Sequence, residues 1–259
     1  MPARYSSGET GLAPNLMRRI RIHVAYDGTG FHGWQVQPGL ATVQGALEEI
    51  LSGIEGSPVQ VAGSGRTDAG VHALGQVAAF SIANPIPAVN LRRAVNRLLP
   101  PAIRVLSVEE VDADFHPRFQ AKAKTYEYRI FRGEVCAPFE WPFVHHYPYP
   151  LDEGRMQRLA RAFEGEHDFT AFAASDDRDA EGRSKVRTVF SSVLETAPAR
   201  LVYRVRGSGF LKHMVRNIVG TLIEAGKGNI DDATVLPAVS GPTAPAKGLF
   251  LVNVEYMQR

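Results

Sequence analysis

The sequence is short of several things at once, and each shortage removes a class of protein. Its 259 residues hold one cysteine, Cys136. A lone thiol excludes an intrachain disulfide and any cysteine-built zinc cage, and it suits a reducing, cytoplasmic setting. No apolar run approaches the length needed to span a bilayer. The N-terminus lacks the charged-then-apolar pattern of an export signal, so neither secretion nor a membrane partner is expected. Net charge is only +2, so a nucleic-acid surface would have to come from local clustering. The phosphate-loop spacing G-x-x-x-x-G-K-[ST] is missing, and no G-x-G-x-x-G opens a helix. Eight histidines contain no H-E-x-x-H or H-x-x-x-H. His145 and His146 are adjacent, which on a strand sends them to opposite faces. No metal site is expected from this set.

What remains is ordinary globular sequence, 44% hydrophobic and 22% charged. Residues 1–17 carry no apolar period and are expected to form a disordered N-terminal extension. Ile20, Ile22, Val24 and Tyr26 then alternate with polar residues as a strand with one apolar face. Thr42 is placed to cap a helix whose apolar positions are Val43, Leu47, Ile50, Leu51 and Ile54. Val59 to Val61 and Gly75 to Ile82 read as two strands, Leu91 to Leu99 as a helix stopped by Pro100-Pro101, and Ile103 to Val111 as a strand. The order is β-α-β-β-α-β, the split βαβ signature. It recurs after an acidic run at residues 109–114: a strand through Tyr126 and Tyr128, a helix capped by Asp152, strands over residues 186–194 and 201–206, a helix through Met214, Ile218 and Leu222, and a last strand at residues 249–254. Residues 174–185 read as a mobile loop. The expected fold is α+β: two ferredoxin-like halves, residues 18–114 and 115–259, joined into a continuous antiparallel sheet with a central cleft. Such a cleft is a natural binding place.

The densest stretch is Gly63-Ser64-Gly65-Arg66-Thr67-Asp68-Ala69-Gly70-Val71-His72-Ala73. Taken alone it is either a bulged turn with a surface ion pair or a place where a ligand comes close, because glycine opens backbone conformations closed to other residues. Arg66 and Asp68 are two apart, so an extended backbone would present both to one side. No G-x-S-x-G elbow supports a Ser-His-Asp triad, and Ser64 and His72 read as serving the turn. The second half clusters cations around its strands: Arg118, Lys122, Lys124, Arg129 and Arg132, then Lys185, Arg187, Arg200, Arg204, Arg206, Lys212 and Arg216. Phe119, Tyr126, Tyr128 and Phe131 are interleaved with the first five. Cations attract phosphates and aromatic faces stack on bases that have left a helix, so the set points to a folded RNA.

At this point the residues carry a family. Gly65-Arg66-Thr67-Asp68-Ala69-Gly70-Val71-His72-Ala73 resembles the active-site motif of bacterial tRNA pseudouridine synthase A enzymes. Tyr26 to Gln35, Thr42 to Leu47, Phe115 to Phe119, Lys124 to Tyr128, Phe210 to Gly220 and Lys247 to Leu251 resemble further family segments, in order, over nearly the whole chain. The resemblance implies isomerisation of uridine to pseudouridine at positions 38, 39 and 40 of the tRNA anticodon stem-loop, by a homodimer that uses no organic cofactor and no catalytic metal. It implies that Asp68 is the catalytic carboxylate, that Arg216 lies beside it, that Arg66 helps hold the target nucleotide out of the stem, and that Tyr126 stacks on the target uracil. A rival class is a non-catalytic RNA-binding module built on the same sheet; it explains the cations but not the Arg66–Asp68 turn.

Overall fold

A computed structural model describes residues 17–175, 182, 184–231 and 239–257. The expected disorder of the N-terminal extension, for residues 1–16, and most of the expected mobile loop at 174–185 lie outside them. In chain order the elements are β1 (Arg18–Tyr26), α1 (Val43–Glu55), β2 (Ala62–Gly63), β3 (His72–Ile82), α2 (Ala88–Leu98), β4 (Ile103–Val111), β5 (Ala123–Phe131), β6 (His145–His146), α3 (Glu153–Ala162), β7 (Gly165–Asp168), β8 (Val186–Ala197), β9 (Arg200–Gly207), α4 (Met214–Gly226) and β10 (Leu249–Glu255).

All these strands join one sheet in the order β4-β1-β3-β10-β5-β9-β8-β7, with β2 beside β3 and β6 beside β5. Two sets repeat one arrangement: β4-β1-β3-β2 and β10-β5-β9-β8 each read fourth, first, third, second. The halves meet where Phe250 and Leu251 of β10 lie beside His72 and Ala73 of β3. That junction is parallel, as is the β5–β6 pair, so the continuous sheet is mixed where a wholly antiparallel one was expected. Parallel neighbours need a long return path. Residues 132–144 provide it for β6, and most of the second half provides it for β10.

Two local expectations shift for identifiable reasons. The strand expected at Val59 to Val61 is displaced to Ala62–Gly63, which pair with Ala79 and Ala78. The Val59 N–H donates to Ser52 Oγ (2.9 Å) and the Val61 N–H to Glu48 Oε1 (2.9 Å), so side chains of α1 take the groups a ladder would need. β7 was not expected because Gly165-Glu166-His167-Asp168 has no apolar alternation; it pairs with β8 as a mostly exposed strip. The helix caps match their sequence signals: Thr42 accepts from the Gly45 N–H and Asp152 from the Arg155 N–H.

Ile20, Ile22, Val24 and Tyr26 of β1 and Leu201, Tyr203 and Val205 of β9 are buried. The alternate residues form an outer face of ions: Arg21 with Glu109 (2.7 Å), Glu127 between Arg129 (2.8 Å) and Arg204 (2.7 Å), and Arg206 with Glu255 (2.6 Å). The helix α4 is buried along most of its length, and residues 241–244 cross it closely. A Cβ on Gly220 would lie 1.7 Å from Pro242 O, so only glycine admits this crossing. The crossing strap is held by the Ala244 N–H donating to Arg216 O (3.1 Å).

His72 joins three segments. Its Nδ1 accepts from the Gly28 N–H (3.0 Å), so the ring proton sits on Nε2 and is donated to Pro142 O (3.1 Å). A Cβ on Gly28 would lie 2.0 Å from Val71 O, so glycine there permits the approach. Burial lowers the His72 pKa, against the opposing pull of Asp27 and Pro142 O. Burial also pushes His145 down to about 4, aided by Lys247, His146 and Lys227. The unfolded chain therefore takes up these protons first, near its ordinary pKa of about 6.5. Folding stability is expected to fall as pH drops from about 6.5 towards the folded-state values. Urea unfolding at steps from pH 7.5 to 5 will show a declining midpoint, less steep in His145→Asn; a level profile would contradict the assignment.

Candidate active site

The loop between β2 and β3 is held by buried polar groups. The Gln76 side chain from β3 is the hub: its Oε1 accepts from Ser64 Oγ (2.6 Å) and its Nε2 donates to Gly65 O (3.0 Å). Ser64 and Gln76 are both fully buried. From β1, the Tyr26 hydroxyl meets Thr67 Oγ1 at 2.8 Å, and the Trp34 N–H donates to Thr67 O (3.0 Å). From β5, Lys124 Nζ donates to Ser64 O (2.6 Å). Buried polar groups are costly unless paired, so a set this fully paired fixes one loop shape. Thr67 faces inward while Arg66 and Asp68 on either side face out. That alternation is what an extended backbone requires.

Asp68 meets two side chains from the start of α4. Arg216 Nη1 donates to Asp68 Oδ2 at 3.1 Å, and Arg216 Nε donates to Ala244 O at 2.7 Å. The guanidinium is thus gripped by the strap that Gly220 admits, and its second edge is aimed at the carboxylate. His213 Nε2 lies 3.5 Å from the same Oδ2. His213 has a left-handed backbone, φ 63°, which is uncommon for a non-glycine residue and gathers at functional sites. Desolvation lowers its pKa first, Arg216 and Lys212 lower it further, and Asp68 opposes them.

Asp68 and His213 line a cleft of about 840 Å³, and Arg216 reaches it through its contact with Asp68. Tyr126 forms part of its wall, with its ring edge-on to Phe210 at 5.1 Å between centroids. Burial is the main cause raising the Tyr126 pKa, with Tyr26 and Asp68 adding, so the phenol stays neutral. Arg66 is exposed on the wall. The sequence-nominated four, Asp68, Arg216, Tyr126 and Arg66, are therefore gathered about one space. Asp68 and Arg216 touch, while Tyr126 and Arg66 stand apart from that pair. Among the described lining residues Asp68 is the only carboxylate, against Arg66, Arg118, Lys124 and Lys212. Burial, with Arg118, pushes the Lys124 pKa down to about 8. Among the described residues, no three of His, Cys, Asp and Glu come together as metal ligands would.

Many of the clustered cations are paired with acids. Arg129 and Arg204 share Glu127, Arg206 faces Glu255, Arg132 is 3.6 Å from Glu153 and Arg200 pairs with Glu140. Tertiary structure brings most of these acids, distant in sequence, beside the bases; Glu127 and Arg129 are two apart on β5. Arg66, Arg118, Lys124 and Lys212 instead line the cleft. Sequence reasoning gave no role to His213 or Gln76. His213 and Arg216 are three apart at a helix start, a spacing that puts both on one side, and this was a usable signal. Gln76 carried none, since a lone glutamine in a strand has no pattern.

A family model described as tRNA pseudouridine synthase matches residues 22–120 and 159–257. The chain is 80% identical over 240 residues to the tRNA pseudouridine synthase A of Solibacter usitatus (strain Ellin6076), covering 93% of this chain and all of that one. It is 44% identical over 250 residues to the enzyme of the same name from Lacticaseibacillus casei (strain BL23), again over 93% of this chain and all of that one. Among solved structures, a Cbf5-Nop10-Gar1 complex aligns at 12% identity and a TM-score of 0.35, covering 89% of this chain and 57% of that one; a likeness that slight carries no weight. A cation-lined cleft with one carboxylate, and sequence identity running from end to end of the relatives, agree: the chain belongs to the tRNA pseudouridine synthase family.

Proposed function

We propose that this cleft isomerises uridine at positions 38, 39 and 40 of the tRNA anticodon stem-loop, with Asp68 as the catalytic carboxylate. The observation that carries the reading is that Asp68 is the one acid among the described residues of a cation-lined cleft and is held there by Arg216 from the other half. The enzyme is an isomerase acting on tRNA, and its reaction conserves every atom. The C1′–N1 bond breaks and a C1′–C5 bond forms, while C5 gives up a proton and N1 gains one. A carboxylate serves such a change as a nucleophile or as a base. The half at residues 18–114 supplies Arg66 and Asp68, and the half at 115–259 supplies Tyr126 and Arg216. Tyr126 stacks on the target uracil, and Arg66 grips the strand it has left, because unstacking a base costs a few kcal/mol that the site must offset. His213 positions Asp68. We also propose a cytoplasmic homodimer with contacts from residues 138–150, where Phe139 and Tyr149 are 90% and 65% exposed.

Incubation with unmodified tRNA and mapping of pseudouridine by position tests the assignment directly; product elsewhere than the anticodon stem-loop would contradict it. Asp68→Asn is expected to lower the single-turnover rate by roughly 10²- to 10⁴-fold or more, with tRNA binding kept within a few-fold. Arg216→Lys keeps the charge, but one ammonium cannot reach both Ala244 O and Asp68 as the planar guanidinium does. A loss of roughly 10- to 100-fold in kcat is expected, and near-normal turnover would show that charge alone suffices. Tyr126→Phe keeps a stacking ring, so it should retain kcat/KM roughly 5- to 100-fold above Tyr126→Leu. Equal losses in the two variants would move the role to the hydroxyl.

A further inference from the structure

The segment joining β4 to β5 sets an aromatic ring at the cleft in a manner the catalytic reading does not use. Phe119 is 76% exposed and lines the cleft. Its ring lies against the His116 imidazole, 4.2 Å between centroids and 32° from parallel. The turn beneath is tied at several points. His116 Nδ1 accepts from the N–H groups of Arg118 (3.1 Å) and Phe119 (3.4 Å), and the Gln120 N–H donates to His116 O (3.2 Å). The Tyr256 hydroxyl donates to Pro117 O (2.7 Å), and the buried Phe115 packs on the Tyr256 ring. A single exposed ring is ordinary on a protein surface; this one is set apart because its turn is tied and it stands on the wall of the cleft.

We propose that Phe119, backed by His116, is a stacking shelf for a second, unpaired nucleobase of the RNA substrate, distinct from the uracil site at Tyr126. The inference rests on the reading that the cleft takes tRNA. Charge selects the occupant: among the described lining residues Arg66, Arg118, Lys124 and Lys212 accompany a single acid, which suits a phosphate-bearing strand. Chemistry selects the contact, since every base has a π face and an aromatic side chain grips it without reading its identity. Extruding one nucleotide also strips its neighbours of a stacking partner, and the shelf supplies one.

The test is tRNA binding and single-turnover rate with an unmodified tRNA transcript. Phe119→Ala is expected to raise Kd about 5- to 100-fold, and Phe119→Trp to restore it. The slope of log Kd against log salt should be unchanged in Phe119→Ala, whereas Lys212→Gln should reduce it by about 0.7–0.9. Phe190→Ala removes another exposed ring, one stacked with Arg206 at 5.0 Å outside the cleft, and should bind as the parent does. Parent-like binding by Phe119→Ala, a loss that tracks a lower Tm, or a change in oligomeric state on sedimentation would each overturn the shelf. If the parent enzyme binds tRNA but forms no pseudouridine in the anticodon stem-loop, the functional reading fails and the shelf is still judged by the binding series.

Discussion

Everything at the centre of this molecule turns on a contact between residues 148 positions apart, the Arg216 guanidinium and the Asp68 carboxylate. Neither partner is placed by its own element alone. Asp68 is presented by a loop that Tyr26, Gln76 and Lys124 pin from three strands. Arg216 is aimed by a strap that crosses α4 only because residue 220 lacks a side chain. An ion pair open to water is worth little by itself. Here its geometry is set by buried, paired neighbours, and the energetic weight lies in that support. Two similar strand sets thus contribute different components to the same place, Asp68 from one and Arg216 from the other.

Much of the plan could be read from the chain. Alternating apolar residues in β1 and β5, helix caps at Thr42 and Asp152, and the twofold recurrence of β-α-β-β-α-β are local signals, and local physics decided them. Short-range patterns also led to Arg66 and Asp68, since two outward residues flanking an inward one is a property of extended backbone. What could not be read was how strands from different halves would meet. The parallel seam at Phe250 and Leu251 depends on tertiary pairing that leaves no mark in either strand. β7 was invisible because an edge strip with no buried face needs no alternation.

The charges show the same divide more sharply. A cation is legible in sequence; its partner is not. Arg204 looks like a free positive group until the β5–β9 register sets it opposite Glu127, which Arg129 of the same strand already meets. Counting bases along the chain therefore overstated the outer face of the sheet and understated the cleft, where the bases outnumber a solitary acid.

That alternation of sign on the outer face bears on how a large polyanion arrives. A polyphosphate drifting along the far side of the sheet meets attraction and repulsion in quick succession, which cancel within a few ångströms and give it no foothold. Among its described lining residues the groove holds four Arg and Lys side chains to one carboxylate, and low-dielectric walls concentrate the field of such a set. Zwitterionic pairing on one side of the slab thus acts as guidance for the other, by leaving the groove mouth as the direction from which capture is downhill.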